Sequence, residues 1–245
     1  MLKNIYLGFK FSFSYFSILP INFKQSDDLS QKDVLGIMLL FFPFVGFILG
    51  IGTVILFSCL EHLEWYGTLF SAVTYMMLYG FLHTEAIIDV TDALYASHSK
   101  KDAYSIIKEP TVGAMGVIYA IVLVILKLAG IIYLFKHGFL MEFIAILIVS
   151  RLSLLMLFRV HNFQSTFATQ LKNSLSTPHL VVAFLLFIIL GSLVIEQFIL
   201  LLSVGLLLAL SISFTLKHKL GFVNGDVLGA TLEGVEILLF LGVVL

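Results

Sequence analysis

Seven stretches of this chain are candidates to cross a lipid bilayer as a helix. They cover about 35–60, 67–88, 113–135, 139–159, 180–195, 197–216 and 227–245, and a spanning helix needs roughly 20 apolar residues. Backbone that enters lipid must satisfy its own N–H and C=O groups, which confines it to helices or closed barrels, and runs of this length are helical. Composition agrees: 60% of the 245 residues are hydrophobic and 12% charged, against about 45–50% and about 25% in soluble domains. The mean hydropathy is +1.09. The expected fold is all-α, a polytopic integral membrane helical bundle of about seven transmembrane helices in one membrane-embedded domain, 1–245. An N-terminal interfacial helix precedes it over 2–19, where Lys10 and several serines break the apolar content, and Pro20 stops it. The fifth span is short and parted from the sixth only by Glu196-Gln197.

Basic residues orient the bundle. With the N-terminus in the cytoplasm, the cytoplasmic segments hold Lys3, Lys10, Lys24, Lys32, Lys100, Lys101, Lys108, Arg159, Lys172, Lys217 and Lys219, while the far side holds only Lys136. Lys127 and Arg151 fall within spans. Such a bias marks the cytoplasmic side, and it places the polar segments 89–112, 160–179 and 217–226 there together. No cleaved signal peptide is expected, since Lys10 interrupts the apolar stretch and no A-x-A-like site follows. The net charge of -1 gives no case for nucleic acid. Cys59, the single cysteine, excludes an internal disulfide and a cysteine metal cluster, and reads as packing.

The acids carry the functional signal. Glu85, Asp89 and Asp92 are spaced by four and three residues, so on a helix they project within roughly 60° of one another. Three carboxylates on one stripe at the end of an apolar run need a positive partner, and a divalent cation holding phosphate oxygens is the natural one. His83 falls nearly opposite Glu85 and is equally a core histidine bonded to backbone or a substrate contact. A second stripe, Asp226, Glu233 and Glu236, lies within roughly 80° on the last span. Asp226 suits a helix N-cap; the two glutamates enter the membrane from the same face as the first stripe. Lys108-Glu109-Pro110-Thr111-Val112-Gly113-Ala114-Met115-Gly116 leads into the third span. Its glycines can free amides for a phosphate or serve helix packing. Arg151, deep in the fourth span, should pair with an acid or a phosphate, and Lys127 with one of these acids.

Together these features point to Mg²⁺-dependent chemistry on a phosphate or diphosphate. No P-loop, His-Glu-x-x-His site or serine elbow is present. An ion-coupled transporter also uses buried acids, but here they gather toward one face and no inverted repeat is visible.

At these residues the chain resembles the cobalamin synthase family, the adenosylcobinamide-GDP ribazoletransferases, nearly end to end. Ser17-Ile18-Leu19-Pro20 and the Phe-Pro…Gly…Gly pattern of Phe42-Pro43, Gly46 and Gly50 are similar to the family's opening. The family's His-x-Asp-Gly-x-x-Asp-x-x-Asp-Gly reads here as His83-Thr84-Glu85-Ala86-Ile87-Ile88-Asp89-Val90-Thr91-Asp92-Ala93. Its Arg-Asp-x-x-x-Gly-x-x-Gly reads as Lys108 through Gly116, Arg151 matches a middle-span arginine, and Gly225-Asp226-Val227-Leu228-Gly229-Ala230 with Glu233 and Glu236 matches the closing motif. The departures are Glu85 and Glu109 for Asp, Ala86 and Ala93 for Gly, Lys108 for Arg, and Thr111 where the family favours a basic residue. A CDP-alcohol phosphotransferase shares an Asp-x-x-Asp-bearing membrane helix, but its Asp-Gly-x-x-Ala-Arg opening is absent after Asp89.

The resemblance implies the last assembly step of cobalamin: the hydroxyl of α-ribazole, or of its 5′-phosphate, attacks the cobinamide-side phosphorus of adenosylcobinamide-GDP and expels GMP. It implies Mg²⁺ held by Glu85, Asp89 and Asp92 with Asp226 opposite, and Arg151 or Lys108 offsetting charge on the leaving GMP. Glu233 or Asp92 would take the hydroxyl proton. Substrate contacts are expected from His83, Lys108, Glu109, Gly113, Gly225 and Glu236. A bacterial inner membrane location is implied, with lipid around the bundle; a homo-oligomer and association with other corrinoid-pathway enzymes are left open.

Overall fold

The computed structural model describes residues 2–96, 102–109 and 111–243. Lys100, Lys101 and Pro110 lie outside the described residues. Twelve α-helices and one 3₁₀ turn make up the described chain, with no strand among the described residues. α1 (Leu2–Phe16) covers most of the N-terminal helix expected over 2–19 and ends before Pro20. Five segments are long and apolar enough to cross a membrane: α3 with its 3₁₀ extension (Phe42–Leu63), α7 (Ala114–Lys136), α8 (Leu140–Val160), α10 (Thr177–Val194) and α11 (Phe198–Leu220). The protein is a multi-pass α-helical membrane bundle.

Two of the expected runs depart from a single straight helix, for local reasons. The run 35–60 divides at Phe41 into α2 (Lys32–Leu40) and α3 (Phe42–Leu60). Pro43 lies in the first turn of α3, where its missing N–H is harmless, but a proline breaks the hydrogen-bond ladder arriving from α2. The run 67–88 divides into α4 (Trp65–Leu78) and α5 (Leu82–Ala96). Gly80 and Phe81 between them have φ of +68° and +53°, a left-handed turn that no helix continues through. The amide of Ile18 donates to the Leu78 carbonyl at 2.9 Å and so completes the end of α4. α12 (Gly225–Gly242) is the last expected span, and it carries Asp226, Glu233 and Glu236. Cys59, expected in packing, is exposed near the end of α3.

α8 is the central post. Every residue from Phe143 to Leu155 is buried, so over that stretch the helix turns no face outward; 83% of its most apolar 18 residues are buried, against 17% for α10 and 22% for α11, whose outer faces remain open to lipid. α3, α10, α11 and α12 all pack on it. α3 crosses closely because Gly46 has no side chain: a Cβ there would meet the Arg151 side chain at 2.5 Å and the Leu147 carbonyl at 2.6 Å.

Four charges sit inside this apolar frame. Lys127 of α7 lies 2.6 Å from Glu233 and 2.7 Å from Glu236, both on α12. Arg151 of α8 lies 2.6 Å from the other oxygen of Glu236. Tyr75 and Ser150 donate to Glu236 at 3.0 and 3.1 Å, and Lys127 reaches the Tyr79 hydroxyl at 3.3 Å. All four charged side chains are buried, so the two positive and two negative charges must cancel locally. The deep arginine and lysine are thus paired with acids, as their depth demanded.

At one end of the bundle the polar segments converge. The Tyr104 ring of α6 (Ala103–Ile107) lies edge-on to Phe222 at 5.0 Å, its hydroxyl donates to the Gln164 carbonyl at 3.4 Å, and the Gln164 amide donates to Val223 at 3.0 Å. α9 (Thr166–Ser174), capped by Ser165, completes that end. Replacing Glu236 by Leu leaves Lys127 and Arg151 against Glu233 alone, and should lower stability by about 3–5 kcal/mol. Thermal unfolding in detergent reads this as a fall in Tm, and the double change Arg151→Leu with Glu236→Leu should recover much of it, because the remaining Lys127–Glu233 pair is neutral.

Candidate active site

α5 turns one face into the bundle and one outward. His83, Ala86, Ile87 and Val90 are buried, while Glu85 is exposed and Asp89 and Asp92 are half-buried. The first acidic stripe therefore forms a polar rim where α5 leaves the apolar layer. Asp226, in the first turn of α12, stands across from it. Its expected role as an N-cap is taken instead by Asn224, whose Oδ1 accepts from the Val227 amide at 3.0 Å. Asn224 Nδ2 donates to Asp226 Oδ2 at 2.6 Å, aiming the aspartate rather than spending it on the helix end. Asparagine caps as well as aspartate does, so the Asn224-Gly225-Asp226 order held this signal.

Burial, followed by the charges of Asp226, Glu85 and Asp92, raises the Asp89 carboxyl to about 6 from its ordinary 3.8. Burial also raises Asp226, with Glu85 adding repulsion against the lowering pull of Asn224. Among the described residues no basic side chain pairs with Glu85, Asp89 or Asp226. The contrast with the deeper acids is complete: Glu233 and Glu236 are sealed beside Lys127 and Arg151 and do not form a second wall of this rim.

Asp92 has its own partners. Its two oxygens accept from the Gly113 amide at 2.6 Å and the Gly116 amide at 2.8 Å. A carboxylate laid across the first-turn amides of α7 is favoured by the helix dipole. The same approach explains the Gly-x-x-Gly spacing, because a Cβ on Gly113 would collide with the Asp92 carboxylate and one on Gly116 would meet it at 2.7 Å. The amides read as phosphate donors thus hold Asp92, and α5 is braced to α7.

His83 is buried, stacks 6.2 Å from the Tyr79 ring and lies edge-on to Phe42 at 6.3 Å. It makes no hydrogen bond among the described residues, neither to backbone nor to a side chain. Lys108 is exposed just after α6, its ammonium 4.1 Å from the centre of the Tyr104 ring. Glu109 is exposed beside it, and Gly225 is exposed at the start of α12 with open space where a Cβ would be. Arg159 donates to Thr177 at 3.0 Å. Sequence reasoning passed over Tyr75 and Tyr79, whose spacing of four inside an apolar run placed both hydroxyls on the face that meets the buried charges.

No three His, Cys, Asp or Glu side chains among the described residues form a closed cage for a metal. Mg²⁺ asks for less, commonly one or two carboxylates with phosphate oxygens and waters filling the octahedron. Glu85 and Asp89, one turn apart with charge that no basic group opposes, fit that donor set.

The sequence matches the family described as cobalamin-5-phosphate synthase over residues 8–244. A protein of Clostridium perfringens strain SM101 named adenosylcobinamide-GDP ribazoletransferase is 28% identical, over 99% of this chain and 100% of its own. Proteins of the same name from Brevibacillus brevis and Chlorobaculum parvum are 26% and 29% identical, covering 96% and 90% of this chain and 96% and 88% of their own. No solved structure matches. With the match running through every helix that builds the rim, the chain belongs to the cobalamin-5-phosphate synthase family.

Proposed function

We propose that this protein is an adenosylcobinamide-GDP ribazoletransferase, joining that substrate to α-ribazole or its 5′-phosphate with release of GMP. The observation that carries the reading is the rim itself, a set of carboxylates with unopposed charge at the polar end of a membrane bundle of this family. The basic bias of the connecting segments supports a rim on the cytoplasmic face of the bacterial inner membrane, where a soluble nucleotide leaves freely.

Glu85 and Asp89 hold Mg²⁺, which when bound neutralises charge on the diphosphate. Asp92, occupied by two amides, keeps α5 and its acids in register with α7. Asp226 borders both the rim and the cleft beside it and takes the proton of the attacking ribazole hydroxyl, a role its Asn224 hydrogen bond orients. Arg151 is paired with Glu236 and Glu233 with Lys127 in the core, so of the two cations Arg151 and Lys108 it is the exposed Lys108 that balances charge on the departing GMP.

Purified protein in proteoliposomes, given adenosylcobinamide-GDP, α-ribazole and Mg²⁺, should release GMP. Asp89→Asn should slow this by about 10²–10³-fold, the scale of removing one electrostatic contact to a transition state. No GMP from the native chain, or an unchanged rate in the variant, overturns the reading.

The raised Asp89 carboxyl makes a second prediction. Because it titrates near 6 when folded and at 3.8 ordinarily, the folded state holds the proton more tightly, so stability without Mg²⁺ falls as pH rises from 3.8 through about 6. A bound cation opposes that loss. The gain in Tm on adding Mg²⁺ should therefore be larger at pH 7 than at pH 5, and Asp89→Asn should shrink the difference. Equal gains at both pH values contradict the assignment.

A further inference from the structure

Beside the rim, a cleft of about 150 Å³ opens between α5, α8, α9 and the start of α12. Phe16, Phe42, Leu154 and Phe158 are among its walls. Its polar lining is sparse. Ser165 is spent capping α9, accepting from the Ala168 amide at 3.1 Å. Asp226 stands at the mouth, shared with the rim. Tyr15 also lines the cleft, 38% exposed and on the Asp226 side. Deeper in, the remaining polar group is His83, only 7% exposed and without a side-chain hydrogen bond among the described residues. Its ring nitrogens are not among the sealed, unpaired atoms of the bundle and open instead onto the cleft, where the occupant of the cleft completes them.

We propose that this cleft holds the bicyclic aromatic base of the attacking nucleoside, with the His83 imidazole N–H donating to the free ring nitrogen of that base. The proposal rests on the transferase reading above. An apolar cavity of about 150 Å³ takes a benzene ring; this cleft is of that size and open at its mouth, so it seats the six-membered ring of a benzimidazole with the rest of the base toward the mouth, and is far too small for a corrin. Guanine is the other base in the reaction, but its edge carries several donors and acceptors, which phenylalanine and leucine walls would leave unpaired. A benzimidazole nucleoside has one free ring nitrogen, and the cleft has one unpaired inner donor. Seating the base here lays its ribose at Asp226, beside Asp89, where the hydroxyl meets the carboxylates. Selection of the base and placement of the nucleophile then come from one cleft.

The test uses the full chain in detergent, with each substrate varied in turn. His83→Phe keeps a ring and removes the donor; Ala168→Met fills the cleft from α9, since Ala168 lines it. Both should raise KM for α-ribazole by roughly tenfold, the scale of one lost hydrogen bond or a blocked contact, with KM for adenosylcobinamide-GDP unchanged. An indole riboside, which lacks the free ring nitrogen, should bind the native chain and the His83→Phe chain alike. A rise in KM for adenosylcobinamide-GDP instead, or no change in either, overturns the proposal while leaving the transferase reading intact. Should the native chain release no GMP, the transferase reading fails, and equilibrium dialysis of labelled α-ribazole decides on the cleft alone. Binding that Ala168→Met abolishes supports the proposal; equal binding in both chains, or none in the native chain, refutes it.

Discussion

The four charges buried where α7, α8 and α12 meet set the geometry of everything at the polar end. Lys127 and Arg151 can be neutralised only if Glu233 and Glu236 face them, so the rotation of α12 about its axis is fixed. Asp226 precedes Glu233 by seven residues, about two turns, and so emerges on nearly the same face. Cancelling charge in the apolar layer therefore delivers a carboxylate to the rim, opposite Asp89. The network also reaches α5 from below: Lys127 contacts the Tyr79 hydroxyl, which bonds to Thr84 at 3.1 Å beside Glu85.

Acids of one chemical kind thus take two fates. Glu233 and Glu236 meet cations at contact distance and serve the bundle. Glu85, Asp89 and Asp226 repel one another with no basic side chain among the described residues paired to them, which is the ground for the proposed cation there. Asp92 lies between these fates, answered by amides instead of a cation. The substitutions that set this chain apart from its family's pattern fit the same frame. Ala86, standing for a glycine, packs where α5 crosses α12, and Gly229 opposite supplies the room: a Cβ there would lie 2.7 Å from that of Ala86. Close approach of the two acidic helices is kept with one glycine rather than two.

Much of this was legible in the residues. Long apolar runs gave the all-α membrane bundle, because lipid leaves backbone few other options, and the spacing of Glu85, Asp89 and Asp92 gave the rim. Depth alone required Arg151 and Lys127 to find acids. What hydropathy could not show is where a run bends: Pro43 and Gly80-Phe81 break two spans, since dihedral angles act on single residues and a window of twenty averages them away. Nor could helical angles tell which acid meets which cation. Glu233 and Glu236 share a stripe with Asp226 in projection, yet their height along α12 separates core from rim. The Gly113 and Gly116 amides looked like a phosphate cradle because a carboxylate from a distant helix leaves no trace in local sequence.

The central claim is that the acids divide into a metal-binding rim and a charge-neutral core. Anomalous scattering from Mn²⁺ substituted for Mg²⁺, in crystals with a non-hydrolysable diphosphate analogue, tests it most directly. A peak against Glu85 and Asp89, with Glu233 and Glu236 still paired to Lys127 and Arg151, is the predicted result. A peak at Glu233 or Glu236, with the buried pairs opened, would contradict it.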